Sequence, residues 1–301
     1  MVWMLAGSFL FAVMGGLAHA LGSRCDWRVV ALTRALVMLV SAAAMARAAG
    51  VPLRVFRPRS LWMRSLAGSF SLVCNFYALA RLPVGDVLTL TNAYPLWIVL
   101  MSAAAAGRAP SLVETLGVAC GLVGVVLIQQ QPDLAGDDRV AVAVAIISSL
   151  STAVAMFGLH RLRGVDARAV MAHFAGVATL VAGAWCLAPP EMIGPHTLEP
   201  ATIALLLGVG LTGTAGQYCL TKAFASGPPG RVSVVSFSQV AFGLAFDVLI
   251  WGDSATLRKL TGMALVLAPT CWLVVRGASK RRPPSGPTVV VRGEELERGS
   301  G

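Results

Sequence analysis

Ten apolar runs follow one another along this chain, at residues 2–21, 29–49, 61–82, 84–106, 112–128, 140–160, 167–187, 201–225, 232–251 and 257–275. Most reach the ~20 residues that an α-helix needs to cross the hydrocarbon core of a bilayer. Apolar residues are continuous within each run rather than alternating, which excludes a transmembrane β-barrel. The links are short and punctuated by prolines such as Pro58, Pro83, Pro110 and Pro228. Of the 301 residues, 56% are hydrophobic and 13% charged, against about a quarter charged in soluble chains. A soluble domain of this size could not hide so much apolar surface, so lipid must be part of the solvent. The expected fold is all-α and integral to the membrane, with about ten transmembrane helices.

A net charge of +10 would suggest a nucleic-acid partner in a soluble protein. Here the basic residues sit between or at the ends of apolar runs, where membrane topology is written, and no nucleic acid is expected. With the N-terminus inside, the links after even-numbered runs and the tail hold 17 of the 24 Lys and Arg residues, Arg64 and Lys222 among them. The positive-inside rule then puts both termini in the cytoplasm, in a cell membrane of the bacterial inner-membrane kind. Trp3, Trp62, Trp185 and Trp251 lie near run ends, as interfacial anchors do. No Lys or Arg precedes Arg24, so residues 1–21 read as a retained first span rather than a signal peptide. Residues 277–301, rich in Arg, Pro, Gly and Glu, read as a disordered cytoplasmic tail. The six cysteines are scattered singly with no CxxC pair, so neither a metal, a disulfide nor a cofactor is expected.

A shift of 145 residues lays the second half of the chain on the first. Gly68 falls on Gly213, Cys74 on Cys219, Pro83 on Pro228, Gly85 on Gly230, Leu112 on Leu257 and Gly117 on Gly262. Ordered Pro and Gly matches at equivalent links point to duplication, with residues 1–138 and 139–276 as two five-helix repeats. Five spans per half would make the second half enter the membrane with opposite orientation. Such an inverted-topology repeat is typical of secondary transporters. Two such halves enclose a cavity near mid-depth that rocking opens to each side in turn.

Several stretches also follow a family pattern. They are residues 34–40 (RALVMLV), 75–87 (NFYALARLPVGDV), Pro95 with Leu96, 114–117 (ETLG) and 121–128 (GLVGVVLI). The second half echoes them with 213–217 (GTAGQ), 223–227 (AFASG) and Gly262. The chain resembles the EamA-type carriers of the drug/metabolite transporter superfamily, over residues 6–128 and 145–275. That resemblance implies a carrier of amino acids, nucleosides or other small metabolites, without choosing among them. It departs from the repeat at Val240, opposite Pro95, and at Lys259, opposite Glu114.

Polar side chains in hydrocarbon are costly unless they meet a partner or a wet cavity. Candidate cargo contacts are Asn75, Thr89, Asn92 and Tyr94 in the third and fourth spans, with Gln217, Ser236 and Gln239 in the eighth and ninth. Amides both donate and accept, and the repeat shift lays Tyr94 on Gln239. The competing role for these residues is hydrogen bonding that holds helices together. Ser148, Ser151 and Thr152 are expected to bond back to their own preceding turn. Gly117, Gly121 and Gly124 form a small-residue stripe for close packing. Arg34 is expected to snorkel outward or cap a helix end, and His173 to pack. Asp247 and His19 are candidates for proton coupling. The competing roles are a solvated acid paired with Arg258 or Lys259, and a packing histidine.

No GxxxxGK phosphate loop and no HExxH motif occurs, which argues against an ATP-driven pump or a membrane protease. No enzyme activity is expected. The reading is a secondary transporter that exports a small neutral or zwitterionic metabolite, such as an amino acid, by alternating access. Its partners are the lipid bilayer and the small-molecule substrate, with a homodimer left open. Rival readings are a lipid or lipid-linked sugar flippase and an intramembrane transferase. The transferase would need paired acids or histidines at a membrane face, and Asp86, Glu114 and Asp166 lie far apart in sequence.

Overall fold

The computed structural model describes residues 1–21, 24–53, 56, 58–79, 90–107, 109–129, 139–187, 199–250 and 256–279. Its helices are α1 (Val2–Leu21), α2 (Trp27–Ala48), α3 (Arg59–Leu79), α4 (Tyr94–Ala105), α5 (Leu112–Gln129) and α6 (Arg139–His160). They continue with α7 (Ala167–Cys186), α8 (Pro200–Ser226), α9 (Pro229–Ser236), α10 (Ser238–Ile250) and α11 (Leu257–Ser279). No strand occurs among the described residues.

Two helices begin alike. The carboxylates of Asp26 and Asp166 cap α2 and α7, each accepting at 2.8 Å from the backbone N–H two residues on, of Arg28 and Arg168. Pro200 and Pro229 open α8 and α9, where a missing N–H costs nothing. Removing a side-chain cap typically costs about 1 kcal/mol. Asp166→Ala should therefore lower the thermal midpoint of the purified protein measurably, and Asp166→Asn, still a good cap, should recover most of the loss.

The surface and interior are inverted relative to a soluble protein. Leu180, Val40, Leu211, Phe70 and Leu207 stand exposed, while Ser8, Ser65, Ser69, Ser148, Ser233 and Ser238 are buried. An apolar coat around a partly polar interior suits hydrocarbon as solvent. Among the described residues, α2, α6, α7 and α8 are long and apolar enough to cross a membrane. Val2–Ala18, Tyr94–Ala105 and Leu112–Leu127 supply shorter apolar helices.

Packing partners recur between the halves. The main seams are α1 with α8, α3 with α6, α2 with α7 and α5 with α11, followed by α2 with α8, α3 with α7, α1 with α10 and α4 with α6. Exchanging α1 with α6, α2 with α7, α3 with α8, α4 with α10 and α5 with α11 turns this set of seams into itself. The glycine stripe packs as expected. A Cβ on Gly117 would lie 3.0 Å from Val234, one on Gly124 would lie 2.6 Å from the carbonyl oxygen of Gly262, and one on Gly121 would overlap the ring of Phe237.

The ninth expected span is not one continuous helix. It divides into α9 and α10 at Phe237, where Phe237 N–H donates to Val234 O (3.3 Å) and Val240 N–H to Phe237 O (3.0 Å). The fourth expected span has the same irregularity, with Ala93 N–H to Leu90 O (3.2 Å) and Leu96 N–H to Ala93 O (3.0 Å). These i to i−3 bonds tighten the backbone as a 3₁₀ turn does. The two irregularities lie 144 residues apart, within one residue of the sequence repeat.

Candidate substrate site

The two interrupted spans meet. Tyr94 opens α4 just after one irregularity, and Ser236 closes α9 just before the other. The Tyr94 hydroxyl donates to Ser236 Oγ at 2.5 Å, and Ser236 Oγ donates onward to Ser233 O at 2.6 Å. One turn further along α4, Trp97 Nε1 donates to Ser149 Oγ on α6 at 3.0 Å. Thus α4 is tied by side-chain hydrogen bonds to both α9 and α6, all inside an apolar coat.

Beside this crossing, α3 and α6 are joined by hydroxyls. Ser148 Oγ donates to Ser71 O at 2.9 Å, Ser71 Oγ lies 2.5 Å from Thr152 Oγ1, and Ser151 Oγ donates to Ala67 O at 2.9 Å. These three α6 side chains were expected to bond within their own helix, and instead they cross to α3. The two helices approach closely along this seam, and further along it Gly158 on α6 leaves room for Met63 and the backbone of Arg64. Bonding back to the preceding turn does occur in α8, from Thr212, Thr214 and Thr221 to Gly208, Gly210 and Gln217.

The sequence candidates distribute as follows. Tyr94 and Ser236 are brought into contact. Asn92 sits in the turn leading into α4, and Gln239 is half-buried in the first turn of α10. Asn75 on α3 and Gln217 on α8 are in the interior, and Asn75 Oδ1 and Gln217 Nε2 have no hydrogen-bond partner among the described residues. A buried polar atom left unsatisfied costs about 1–3 kcal/mol, which a polar cargo would relieve by donating to the first and accepting from the second. Thr89 lies outside the described residues, as do the side chains of His19 and Asp247.

Two arginines behave differently from a reading by sequence position, and one histidine does not. Arg34 does not snorkel; its side chain runs into the notch over Gly213, where a Cβ would lie 3.2 Å from Nε. Arg64, counted with the cytoplasmic links, is buried to 2% exposure within α3, its guanidinium 4.2 Å above the ring of Phe174. The available signal was its position inside the third apolar run, four residues before Gly68. His173 packs as expected, edge-on to Trp62 and 2.7 Å from Ser65 Oγ through Nδ1.

Comparison with known proteins bears on what this architecture is. The EamA-like transporter family matches the chain twice, over residues 1–130 and 139–275. The pseudopaline exporter CntI of Pseudomonas aeruginosa is 27% identical over 265 residues, covering 86% of this chain and 90% of that protein. An uncharacterized transporter of Helicobacter pylori is 27% identical over 212 residues, covering 69% and 71% respectively. A probable transport protein of Saccharomyces cerevisiae is 26% identical over 247 residues, covering 73% and 69%. One crystal structure, 18% identical, superposes with a TM-score of 0.78 over 93% of this chain and 98% of its own, which shows a shared fold. With the family pattern present in both halves of an apolar-coated helical bundle, the chain belongs to the EamA-like transporter family of multi-pass membrane proteins, within the drug/metabolite transporter superfamily.

Proposed function

We propose that the protein is a secondary carrier that exports a small neutral or zwitterionic metabolite by alternating access, using two five-helix halves in inverted orientation. The observation that carries this reading is the meeting of two interrupted spans at Tyr94 and Ser236. Carriers commonly bind cargo where discontinuous helices cross at a repeat interface, because their freed backbone groups and short helix ends face the cargo. The exchange symmetry of the seams supports two equivalent halves that rock about that crossing. Asn75 Oδ1 and Gln217 Nε2 supply unmet hydrogen-bonding capacity of both signs, which favours a polar cargo over a bulky lipophilic cation. A relative named as an exporter supports outward movement.

The test is a thermal-shift comparison of purified protein with amino acids, nucleosides and lipophilic cations, followed by exchange of the stabilising compound in proteoliposomes. Amino acids or related zwitterions should raise the midpoint and exchange across the vesicle wall. Stabilisation by the cations alone would contradict the reading. The proposed orientation has both termini in the cytoplasm of the cell. In a cysteine-free background, a single cysteine introduced at Ser60 should resist a membrane-impermeant thiol reagent in intact cells and react after lysis. Ready labelling in intact cells would reverse the orientation.

A further inference from the structure

The hydroxyls of α3 and α6 gather at one point in the middle of both helices. Ser71 lies near the midpoint of α3, and Ser148 and Thr152, one turn apart, lie near that of α6. Ser148 Oγ donates to Ser71 O at 2.9 Å. Around Ser71 Oγ stand Ser148 O and Ser148 Oγ, each at 3.1 Å, and Thr152 Oγ1 at 2.5 Å. Two carbonyl and three hydroxyl oxygens are thus held together, with three hydroxyl hydrogens among them. Ser71 has a single hydrogen and three acceptors in reach, so lone pairs outnumber donors. One turn along α3, Asn75 lies between Ser71 and Ala78, which packs with Ala145 of α6. Its Oδ1, without a partner among the described residues, adds unmet acceptor capacity to the same seam.

Packing of the two helices does not call for these oxygens, as the other half of the molecule demonstrates. The 145-residue shift lays Ser71 on Gly216 and Asn75 on Leu220. Gly7 and Phe11, one turn apart on α1, close on Gly216 as Ser148 and Thr152 close on Ser71. A Cβ on Gly7 would lie 3.3 Å from Gly216 O, and one on Gly216 would lie 3.1 Å from the Phe11 ring. The α1–α8 seam therefore fills this junction with two glycines and an aromatic ring, whereas the α3–α6 seam gathers oxygens there. Polar groups inside a membrane bundle are costly, and they mark function by default. Carbonyl and hydroxyl oxygens are the ligands that hard cations take. In carriers, backbone carbonyls near mid-depth commonly coordinate a coupling Na⁺. Neutral ligands in a dry interior suit a single charge better than a double one, because burying charge is costly.

We propose that Ser71, Ser148 and Thr152 form a Na⁺ subsite, so that movement of the cargo is coupled to sodium. The three hydroxyl hydrogens turn outward, and lone pairs of the five oxygens face the ion in place of the hydrogen bonds between them. The proposal rests on the carrier reading and adds its coupling ion. Ser149, next to Ser148, accepts from Trp97 Nε1 of α4 at 3.0 Å. A change in the α3–α6 seam is thereby passed to the helix that carries Tyr94.

The test reads binding without transport. Purified wild type would be melted in sodium, potassium and choline chloride at equal concentration. Sodium should raise the midpoint by roughly 3 °C or more over choline, with potassium giving less than half of that gain. Ser148→Ala and Thr152→Val should lose the sodium gain, and Thr152→Ser, which keeps the oxygen, should retain it. Ser151→Ala is the control, because Ser151 Oγ bonds Ala67 O on the same seam outside the cluster. It should melt lower in all three salts and still gain from sodium. If Ser148→Ala does not fold, the two Thr152 variants decide the matter. Equal wild-type midpoints in the three salts, or a sodium gain that survives Thr152→Val, would overturn the subsite. So would a sodium gain lost equally in Ser151→Ala, which would mark the hydroxyls as hydrogen bonds between helices. Potassium stabilising as strongly as sodium would overturn the assignment to sodium. Exchange of a zwitterion in vesicles with no sodium effect on melting would leave the carrier reading standing and this subsite rejected. A sodium effect lost in Thr152→Val, without exchange of any compound, would do the reverse.

Discussion

Gly124→Val is expected to remove most of the stability of the seam between α5 and α11. A Cβ at this position would lie 2.6 Å from Gly262 O, 2.8 Å from Val266 Cγ2 and 3.2 Å from Val266 N. Two of those three atoms are backbone, so no rotamer change clears them and the helices must part. Val266 itself is fully buried in a cluster with Val125, Phe237, Val240 and Ala241, so separation also opens that cluster. Overpacking a core typically costs 1–3 kcal/mol, and a backbone clash puts this site at about 3 kcal/mol or beyond. The thermal midpoint should fall by roughly 10 °C. Gly183 offers the contrast, because nothing lies within 4 Å of its added Cβ. Gly183→Ala should be neutral or stabilising by up to about 1 kcal/mol, since alanine is the better helix former. Midpoints can be read by heating aliquots and measuring the surviving monodisperse peak. Equal midpoints for the two variants would mean that the α5–α11 contact does not hold the bundle.

The parts of this fold visible in the sequence are those written as composition. A run of continuous apolar residues marks its own ends, so α1 falls at Val2–Leu21 as read from the chain. The Gly117, Gly121 and Gly124 stripe could be read as packing because small residues at helical spacing leave few other uses in lipid. The interruptions in the fourth and ninth spans are a different matter. Pro95 flags one of them, but Val240 stands at its counterpart, and the break resides in backbone hydrogen bonds that an apolar run does not encode. Partner choice was also hidden. Ser148, Ser151 and Thr152 carry hydroxyls that can close onto their own helix or onto α3, and the choice depends on how closely the two helices approach, which an apolar run does not encode. Arg64 illustrates the limit of charge counting. A positive-inside tally treats an arginine near the end of an apolar run as belonging to the adjoining link, whereas its burial depends on Phe174 and Gly158, about a hundred residues away. Of the candidate cargo contacts, Tyr94 and Ser236 touch because the two irregular spans meet, whereas the 145-residue shift only laid Tyr94 on Gln239 and implied no contact between them.

The second large effect is expected at Gly121, and here the clash can be relieved. A Cβ at Gly121 would overlap Cγ, Cδ2 and Cε2 of Phe237. Phe237 is 1% exposed and sits at the junction of α9 and α10, so the ring cannot turn aside without moving the break. Moving the break displaces Ser236, the next residue back, and with it the contact to Tyr94. Gly121→Val alone should therefore cost about 2–3 kcal/mol and abolish stabilisation by any compound that protects the wild type. Phe237→Ala alone should cost about 3–5 kcal/mol through the cavity it leaves. In the double variant the new valine occupies part of the volume the ring vacated, so the two losses should not add. A coupling of at least about 1 kcal/mol is expected, with the double variant melting above the value obtained by summing the single shifts. Its response to the protective compound should also return in part, because the α9–α10 junction is no longer pushed. Strict additivity of the two substitutions would show that Gly121 and Phe237 do not share this space, and that the position of the break is fixed by something other than the ring seated on α5.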